Sequence, residues 1–305
     1  MNTSKCCWNK RAVIIGMMIP VLLYVLLSII PSFLTFLYSF TDIRRESKTW
    51  SFVGLENYWH MLYYQNARDT WTAVLRTFVY AFAVTLLQNV FALLLAVLFN
   101  SKILKGRNLY RAIVFLPYVL GVSVCCYTWV LMMGLDGPVM TLLGKMGIHS
   151  ALLGSTKHAF PIVILIEVWM ASGYAMVLDL AGLQGIPSEL YEAASIDGAS
   201  PVKSFFNITI PLLWQTISIN ILLTITGSLG AMQTILLTTG GDKGTETLSM
   251  RIYRTAFSVG KGEVSIMNPT QGYAAAQSML LFVIVSIFAL LTQYITKRRE
   301  KKYEA

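Results

Sequence analysis

Along most of its length the chain alternates long uncharged runs with short polar breaks, and the runs predict membrane-crossing helices. Six stretches qualify: Ala12 to Thr41, Thr77 to Ser101, Ala112 to Asp136, Ala159 to Leu183, Ser204 to Gly241 and Val264 to Thr296. Covering the hydrocarbon core of a bilayer takes roughly 20 apolar residues. The fourth run contains Glu167 and Asp179, whereas the others hold no charge before their last residue. The runs are continuous rather than alternating, which argues for helices and against a barrel. The expected fold is all-α, a polytopic membrane protein with six transmembrane helices. These are placed at approximately 12–38, 77–100, 112–134, 159–182, 210–238 and 272–296.

One polar break stands apart from the ordinary re-entry loop. Between Leu183 and Pro211 the chain carries its own start and stop signals. Ser188 after Pro187 is expected to cap a short helix, with Glu189 well placed in its first turn. Asp197-Gly198 is a turn signal, and Ser200-Pro201 is the cap and first position of a second helix. Pro211 is expected to mark the entry to the fifth span. The segment therefore reads as helix, glycine turn, helix, on the face of the membrane that a cytoplasmic partner would meet.

Composition agrees with this picture. Apolar residues make up 55% of the 305-residue chain and charged residues 13%, too apolar for a soluble fold of this length. Lys and Arg near span ends give the orientation. The N-terminus carries Lys5, Lys10 and Arg11; the second loop Lys102, Lys105, Arg107 and Arg111; the tail Lys297, Arg298, Arg299, Lys301 and Lys302. Six spans put all three on one side, so both termini are expected in the cytoplasm. Basic residues also occur in the first outer loop (Arg44, Arg45, Lys48, Arg68) and the fifth (Lys243, Arg251, Arg254, Lys261), there interspersed with acids. The net charge of +9 then reflects topology bias and calls for no nucleic acid. The first run is too long for a cleavable signal, and no small-residue cleavage site follows it. Cys6-Cys7 and Cys125-Cys126 lack metal-ligand spacing and are expected to be free thiols. The outer loop from Asp42 to Arg76, with Trp50, Phe52, Tyr58 and Trp59, is expected to pack at the membrane surface. The loop from Gly240 to Glu263 is expected to lie outside, within reach of a partner.

The polar break resembles the EAA motif of ABC-transporter permeases. Glu192-Ala193-Ala194, Asp197-Gly198-Ala199, Phe206, Ile208 and Pro211 follow its pattern, preceded by Leu183-Gln184-Gly185-Ile186-Pro187. Phe52-Val53-Gly54-Leu55-Glu56-Asn57-Tyr58 is similar to the first outer loop of the sugar-permease branch, and Phe115-Leu116-Pro117-Tyr118 to its third-span entry. Leu237-Thr238-Thr239-Gly240-Gly241, Thr245-Glu246-Thr247-Leu248, Tyr253 and Phe257 resemble the region after its fifth span. The similarity is to the maltose-type and glycerol-phosphate-type subunit that comes first of an unequal pair. Asp242 and Arg76 depart from the proline and asparagine usual there, which bears on contacts with a binding protein.

The resemblance implies one transmembrane permease domain over residues 1–305, with the EAA coupling region at 184–211 and a short cytoplasmic coupling helix. Glu192, Ala193, Ala194, Asp197, Gly198 and Ala199 would then contact an ATP-hydrolysing subunit. The implied partners are a second permease subunit, two ATP-binding cassette subunits, an extracellular or periplasmic solute-binding protein, membrane lipid and a carbohydrate substrate. The implied location is a bacterial inner or plasma membrane.

No enzyme site is legible. A P-loop needs Gly-x-x-x-x-Gly-Lys-Ser/Thr; Gly144-Lys145 is followed by Met146 and Gly260-Lys261 by Gly262. No cofactor is expected in this chain, ATP being bound by the partner subunits, and no metal or catalytic residue is assigned. His60, His149 and His158 fall in outer loops and read as solvated. Glu167 is the foremost candidate for the pathway, because intramembrane charge is costly and so points to function. Met170, Ala171 and Tyr174 share its helix face by spacing. Alignment outward from the motif puts Glu167 and Ala171, then Tyr118 and Val122, then Thr224, Gly227, Ser228 and Ala231, at positions resembling the family's sugar contacts. The plainer reading of the small residues is helix packing. Asp179, on another face, is expected to meet a basic group of the second permease. Two other functions compete: a secondary transporter, disfavoured by the lack of inverted repeats and broken-helix pairs, and a membrane scaffold or sensor needing no ATPase partners.

Overall fold

The computed structural model describes residues 10–44, 50–63, 67–101, 104–147, 151–257 and 270–303. Within them the chain is helical, with one isolated bridge between Thr41 and Phe52. The first span, α1 (Gly16–Tyr38), continues a helix that begins at Lys10. Then come α2 (Glu56–Tyr63), α3 (Ala67–Asn100), α4 (Arg107–Leu120), α5 (Val122–Met132), α6 (Pro138–Lys145) and α7 (Ala159–Gln184). The short α8 (Ser188–Ile196) leads to the long α9 (Pro201–Leu229), followed by α10 (Gln233–Thr238), α11 (Leu248–Phe257) and α12 (Gln271–Tyr303).

Among the described residues five helices are long and apolar enough to cross a membrane: α1, α3, α7, α9 and α12. A sixth candidate span is a bent pair of shorter helices. Helices α4 and α5 meet at 98°, where Gly121 adopts φ +80°, ψ +157°, a region open essentially to glycine alone. The single straight helix expected over 112–134 is thus corrected to two half-length helices, and this pair contradicts the expected lack of broken helices. The Cys125 thiol, just past the break, donates to the Pro117 carbonyl at 3.3 Å.

Two other boundaries differ from expectation. The helix of the second span, α3, starts at Ala67, not Thr77, so much of the supposed outer loop is helix. The fifth span does not begin at Pro211 but runs on from Pro201. It passes the proline through a π turn at Phe205–Thr209, and α1 has a matching π turn at Val25–Ile29 just before Pro31. In both cases proline cannot donate to the carbonyl four residues back, and the ladder rearranges there while the helix persists.

Helix α7 sits at the centre, packed against α3 along its length and against α4. Gly173 permits the second contact: a β-carbon there would lie 2.4 Å from the Val114 carbonyl oxygen. Helix α9 packs on α3 and α12. No residue in the window of α1 that could span a membrane is buried, as suits a lipid-facing or partner-facing helix. Its end is tied down by the Phe52-to-Tyr58 segment. Asn57 Nδ2 donates to the Ser39 and Thr41 carbonyls at 2.9 and 2.8 Å, and the Tyr58 hydroxyl to Ser39 Oγ at 2.7 Å. Trp50, Phe52 and Trp59 are exposed, in keeping with interfacial aromatics. Nearby, the Ser51 N–H donates to Asp42 at 2.5 Å and holds its carboxyl below the usual value.

At the end of the bundle opposite α8, the segment after α10 folds inward instead of forming an open loop. Residues 245–251 are buried. Glu246 bridges Arg251 at 3.2 Å and Arg254 at 3.3 Å; Arg254 also meets Asp242 at 2.5 Å, and Arg251 lies 3.7 Å from Asp69 of α3. The Leu248 N–H, at the start of α11, donates to Thr77 Oγ1 at 2.8 Å. Arg251 and Arg254 are therefore committed internally, and their place in an outer loop carries little weight against the expected orientation. The departure at Asp242 also has a local account, since its carboxylate holds Arg254. Residues 258–269, the rest of the loop expected to face a partner, lie outside the described residues.

Candidate functional site

Two cavities meet at Glu167. The larger, about 670 Å³, is bounded by Val122 of α5, Glu167, Gly227, Ala231 and the first turn of α10, with Tyr253 and Phe257 of α11 and Ser278 of α12. The smaller, about 170 Å³, lies between α3, α7 and α9, lined by Gln88, Glu167, Ala171, Tyr174, Asn220, Thr224, Gly227 and Ser228. Seven of the eight pathway candidates line one or both cavities: Val122, Glu167, Ala171, Thr224, Gly227, Ser228 and Ala231. Tyr118 lines neither; its ring stacks on Tyr174 at 4.9 Å. Met170, expected on the Glu167 face, is buried with Cys125, Cys126, Ile162 and Ile166. At 3.6 residues per turn, a position three residues on from Glu167 falls to one side of its line, whereas Ala171 and Tyr174 continue it.

Local chemistry fixes the Glu167 side chain. Thr234, in the first turn of α10, donates its hydroxyl to Glu167 Oε2. The short helix α10 exists because the chain breaks after Gly230, so the break brings a hydroxyl to the carboxylate. Tyr253 and Phe257 stand 5.1 Å apart on the cavity wall. Hydroxyls, amides, a carboxyl and aromatic faces can bind a hydroxyl-rich ring.

Asp179 has its partner within the chain. It is 1% exposed, and Asn220 Nδ2 donates to its Oδ1 at 2.7 Å and to the Ala175 carbonyl at 3.2 Å. The expected pairing with a second permease is thereby corrected. Asn220, Gln88 and Thr234 were not singled out in the sequence. A polar amide within an uncharged membrane run was the signal available for the first two.

The coupling segment forms the expected helix, with one correction. Helix α8 spans Ser188–Ile196, but its cap position is Pro187, which makes no side-chain bond; Ser188 is already inside. At the next helix Ser200 does cap, accepting from the Lys203 N–H at 3.3 Å, with Pro201 at the first position. Gly198 has φ +74° and nothing within 4 Å of where a β-carbon would sit. Glu192, Ala193, Asp197 and Gly198 are exposed, while Ala194 and Ala199 are partly covered. No residue of α8 is buried, and Ile196 is 87% exposed. Tyr191 holds the helix to the base of α9 through its hydroxyl and Thr209 Oγ1, 2.9 Å apart.

His60 is partly exposed beside Glu56 at 3.3 Å, and His158 is partly buried at the start of α7. His149 lies outside the described residues, as do Cys6 and Cys7. Cys125 and Cys126 are buried free thiols. Among the described residues no group of three or more His, Cys, Asp or Glu could hold a metal.

A polytopic helical membrane protein with a carboxyl-bearing cavity among its spans, and an exposed helix between the two spans that wall it, has the build of a transport permease. Residues 88–301 match the family described as binding-protein-dependent transport system inner membrane component, and the chain belongs to that family. It is 32% identical over 295 residues to the trehalose/maltose transport system permease protein of Thermococcus litoralis, covering 95% of each chain. It is 30% identical over 288 residues to the multiple sugar-binding transport system permease protein of Streptococcus mutans, covering 93% of this chain and 94% of that one. The fold matches a crystal structure of a bacterial ABC transporter involved in the import of the acidic polysaccharide alginate. There the TM-score is 0.80 at 20% identity, covering 95% of this chain and 96% of the other.

Proposed function

We propose that this chain is the membrane-spanning permease subunit of a bacterial ABC importer and forms half of the translocation pathway for a carbohydrate. An external solute-binding protein delivers the sugar. A second permease subunit completes the pathway, and two ATP-binding cassette subunits supply the energy. The observation that carries the reading is α8. A helix with no buried residue, held between the two spans that wall the cavity, is built to receive a partner. The sugar transport systems to which the relatives belong support the choice of cargo.

In this reading Glu192, Ala193, Ala194, Asp197, Gly198 and Ala199 form the surface that docks on an ATPase subunit. Tyr118, Val122, Glu167, Ala171, Thr224, Gly227, Ser228 and Ala231 line or shape the sugar's path. ATP and its chemistry belong to the partners. The test is purification from the native membrane by a tag on this chain. A second permease and an ATPase subunit are expected to co-elute, and release of the ATPase subunit by Ala193→Arg on α8 is expected to leave this chain inserted. Elution of this chain alone in mild detergent, with intact insertion, would overturn the importer reading in favour of a scaffold or a self-sufficient transporter.

Both termini are proposed to face the cytoplasm. In a variant lacking native cysteines, an impermeant thiol reagent added to intact cells is expected to label cysteine placed at Ser155, and to miss cysteine placed at Ser195 or Tyr303. Labelling at 303 would overturn that topology.

A further inference from the structure

Among the described residues, the two cavities that meet at Glu167 hold one acidic or basic side chain between them. It is that carboxyl; neither described lining contains Lys, Arg or His. Three of the polar groups around it are oriented by bonds within the chain. Asn220 spends both amide protons inside the chain, one on Asp179 Oδ1 and one on the Ala175 carbonyl. A backbone carbonyl can only accept, so the nitrogen must lie on that side. The Asn220 side-chain oxygen, which has no partner among the described residues, is left as a fixed acceptor. Asn220 lines the smaller cavity. Thr224 donates to the Asn220 backbone carbonyl and accepts from Asn89 Nδ2 at 3.5 Å, and Thr234 donates to Glu167, so neither hydroxyl keeps its proton for a cargo.

We infer that this half of the pathway selects uncharged saccharides over anionic ones such as uronates and sugar phosphates. The selecting groups are Glu167 and the Asn220 carbonyl that Asp179 holds in place. The inference rests on the carbohydrate reading above and adds the charge class of the cargo. Sugar hydroxyls can donate to both acceptors. A carboxylate or phosphate that leaves water here meets the Glu167 carboxyl and the fixed Asn220 acceptor, with no Lys, Arg or His among the described lining residues to offset its desolvation. Discrimination then comes from a repulsive element as much as from the attractive contacts. Asp179 is a positioning residue: it touches no cargo and acts through the Asn220 amide.

The experiment uses the solubilised complex carrying its co-purified ATPase subunits, with no binding protein present, so that the selectivity of that protein does not enter. The probes are neutral trisaccharides of glucose and N-acetylglucosamine and, at matched length, trisaccharides of galacturonate and guluronate. Binding is read by saturation-transfer NMR and competition. At least one neutral probe is expected to bind about tenfold or more tighter than every uronate. Glu167→Gln narrows that ratio, Glu167→Lys reverses it, and Asp179→Ala narrows it without loss of the ATPase subunits. Equal binding of uronates by the unmodified complex, an unchanged ratio in both Glu167 variants, or binding of no probe while the ATPase subunits remain attached would overturn the inference. Absence of ATPase subunits from the purified material would count against the importer reading beneath it.

Discussion

Gly198→Val is expected to leave the importer assembled but uncoupled. Sugar-stimulated ATP hydrolysis and uptake should both fall about tenfold or more in reconstituted vesicles, while insertion and binding-protein docking persist. The residue sits at φ +74° between α8 and α9. A β-branched residue held there is strained by about 1–3 kcal/mol, and about 1.4 kcal/mol already changes a population tenfold. The turn would relax, and α8 would no longer present the same surface relative to α9. Because nothing lies within 4 Å of the missing β-carbon, backbone angle alone decides the outcome. Gly198→Asn, which tolerates left-handed angles, should retain most of the activity. Near-normal turnover in the valine variant at equal protein would show that the turn is not part of coupling.

Glu246→Gln should be the most destabilising single change at the opposite end of the bundle. Glu246 is buried and meets both Arg251, which is 0% exposed, and Arg254. Removing its charge leaves two guanidiniums short of their shared partner; breaking such a buried pair costs about 3–5 kcal/mol. The expected result is a marked fall in the temperature at which the detergent-solubilised chain loses its fold. Asp69→Asn is the control, because its carboxylate is about half exposed and 3.7 Å from Arg251, a geometry worth about 0–1 kcal/mol. Equal effects of the two substitutions would mean that Glu246 does not organise the cluster.

Much of this architecture was readable in the pattern of uncharged runs, because a bilayer demands long apolar helices and little else can satisfy it. The Asp197-Gly198 turn and the Ser200-Pro201 helix start were readable for local reasons, each resting on backbone angles set by one or two residues. What hydropathy misses is direction. Gly121 lies within an apolar run, and nothing in that run distinguishes a straight span from one folded through 98°. Arg68, Asp69 and Arg76 end a run of apolar residues without ending the helix that carries them. Arg251 and Arg254 look solvated in sequence, since their partners Glu246 and Asp242 are identified only by folding. At the cavity, Glu167 was conspicuous by its charge. Asn220 and Gln88 were not, because an amide in a membrane run has many bland explanations and only the Asp179 contact shows which way Asn220 faces.

Helix α9 reaches from the Pro201 turn to Gly227 and Ser228 at the cavity. Its 29 residues, at about 1.5 Å each, make a rod roughly 40 Å long. Helix α7, on the facing wall, ends at Gln184 just before α8 begins. The two cavity walls therefore hang from the two ends of one nine-residue helix, like the blades of shears from a common pivot block. The π turn at Phe205–Thr209 leaves its slack in the lowest part of the rod, close to the block. In the proposed importer, a push or tilt applied to α8 would be delivered as a change in the angle between the blades, and a small stroke at the pivot would become a larger opening around the cargo.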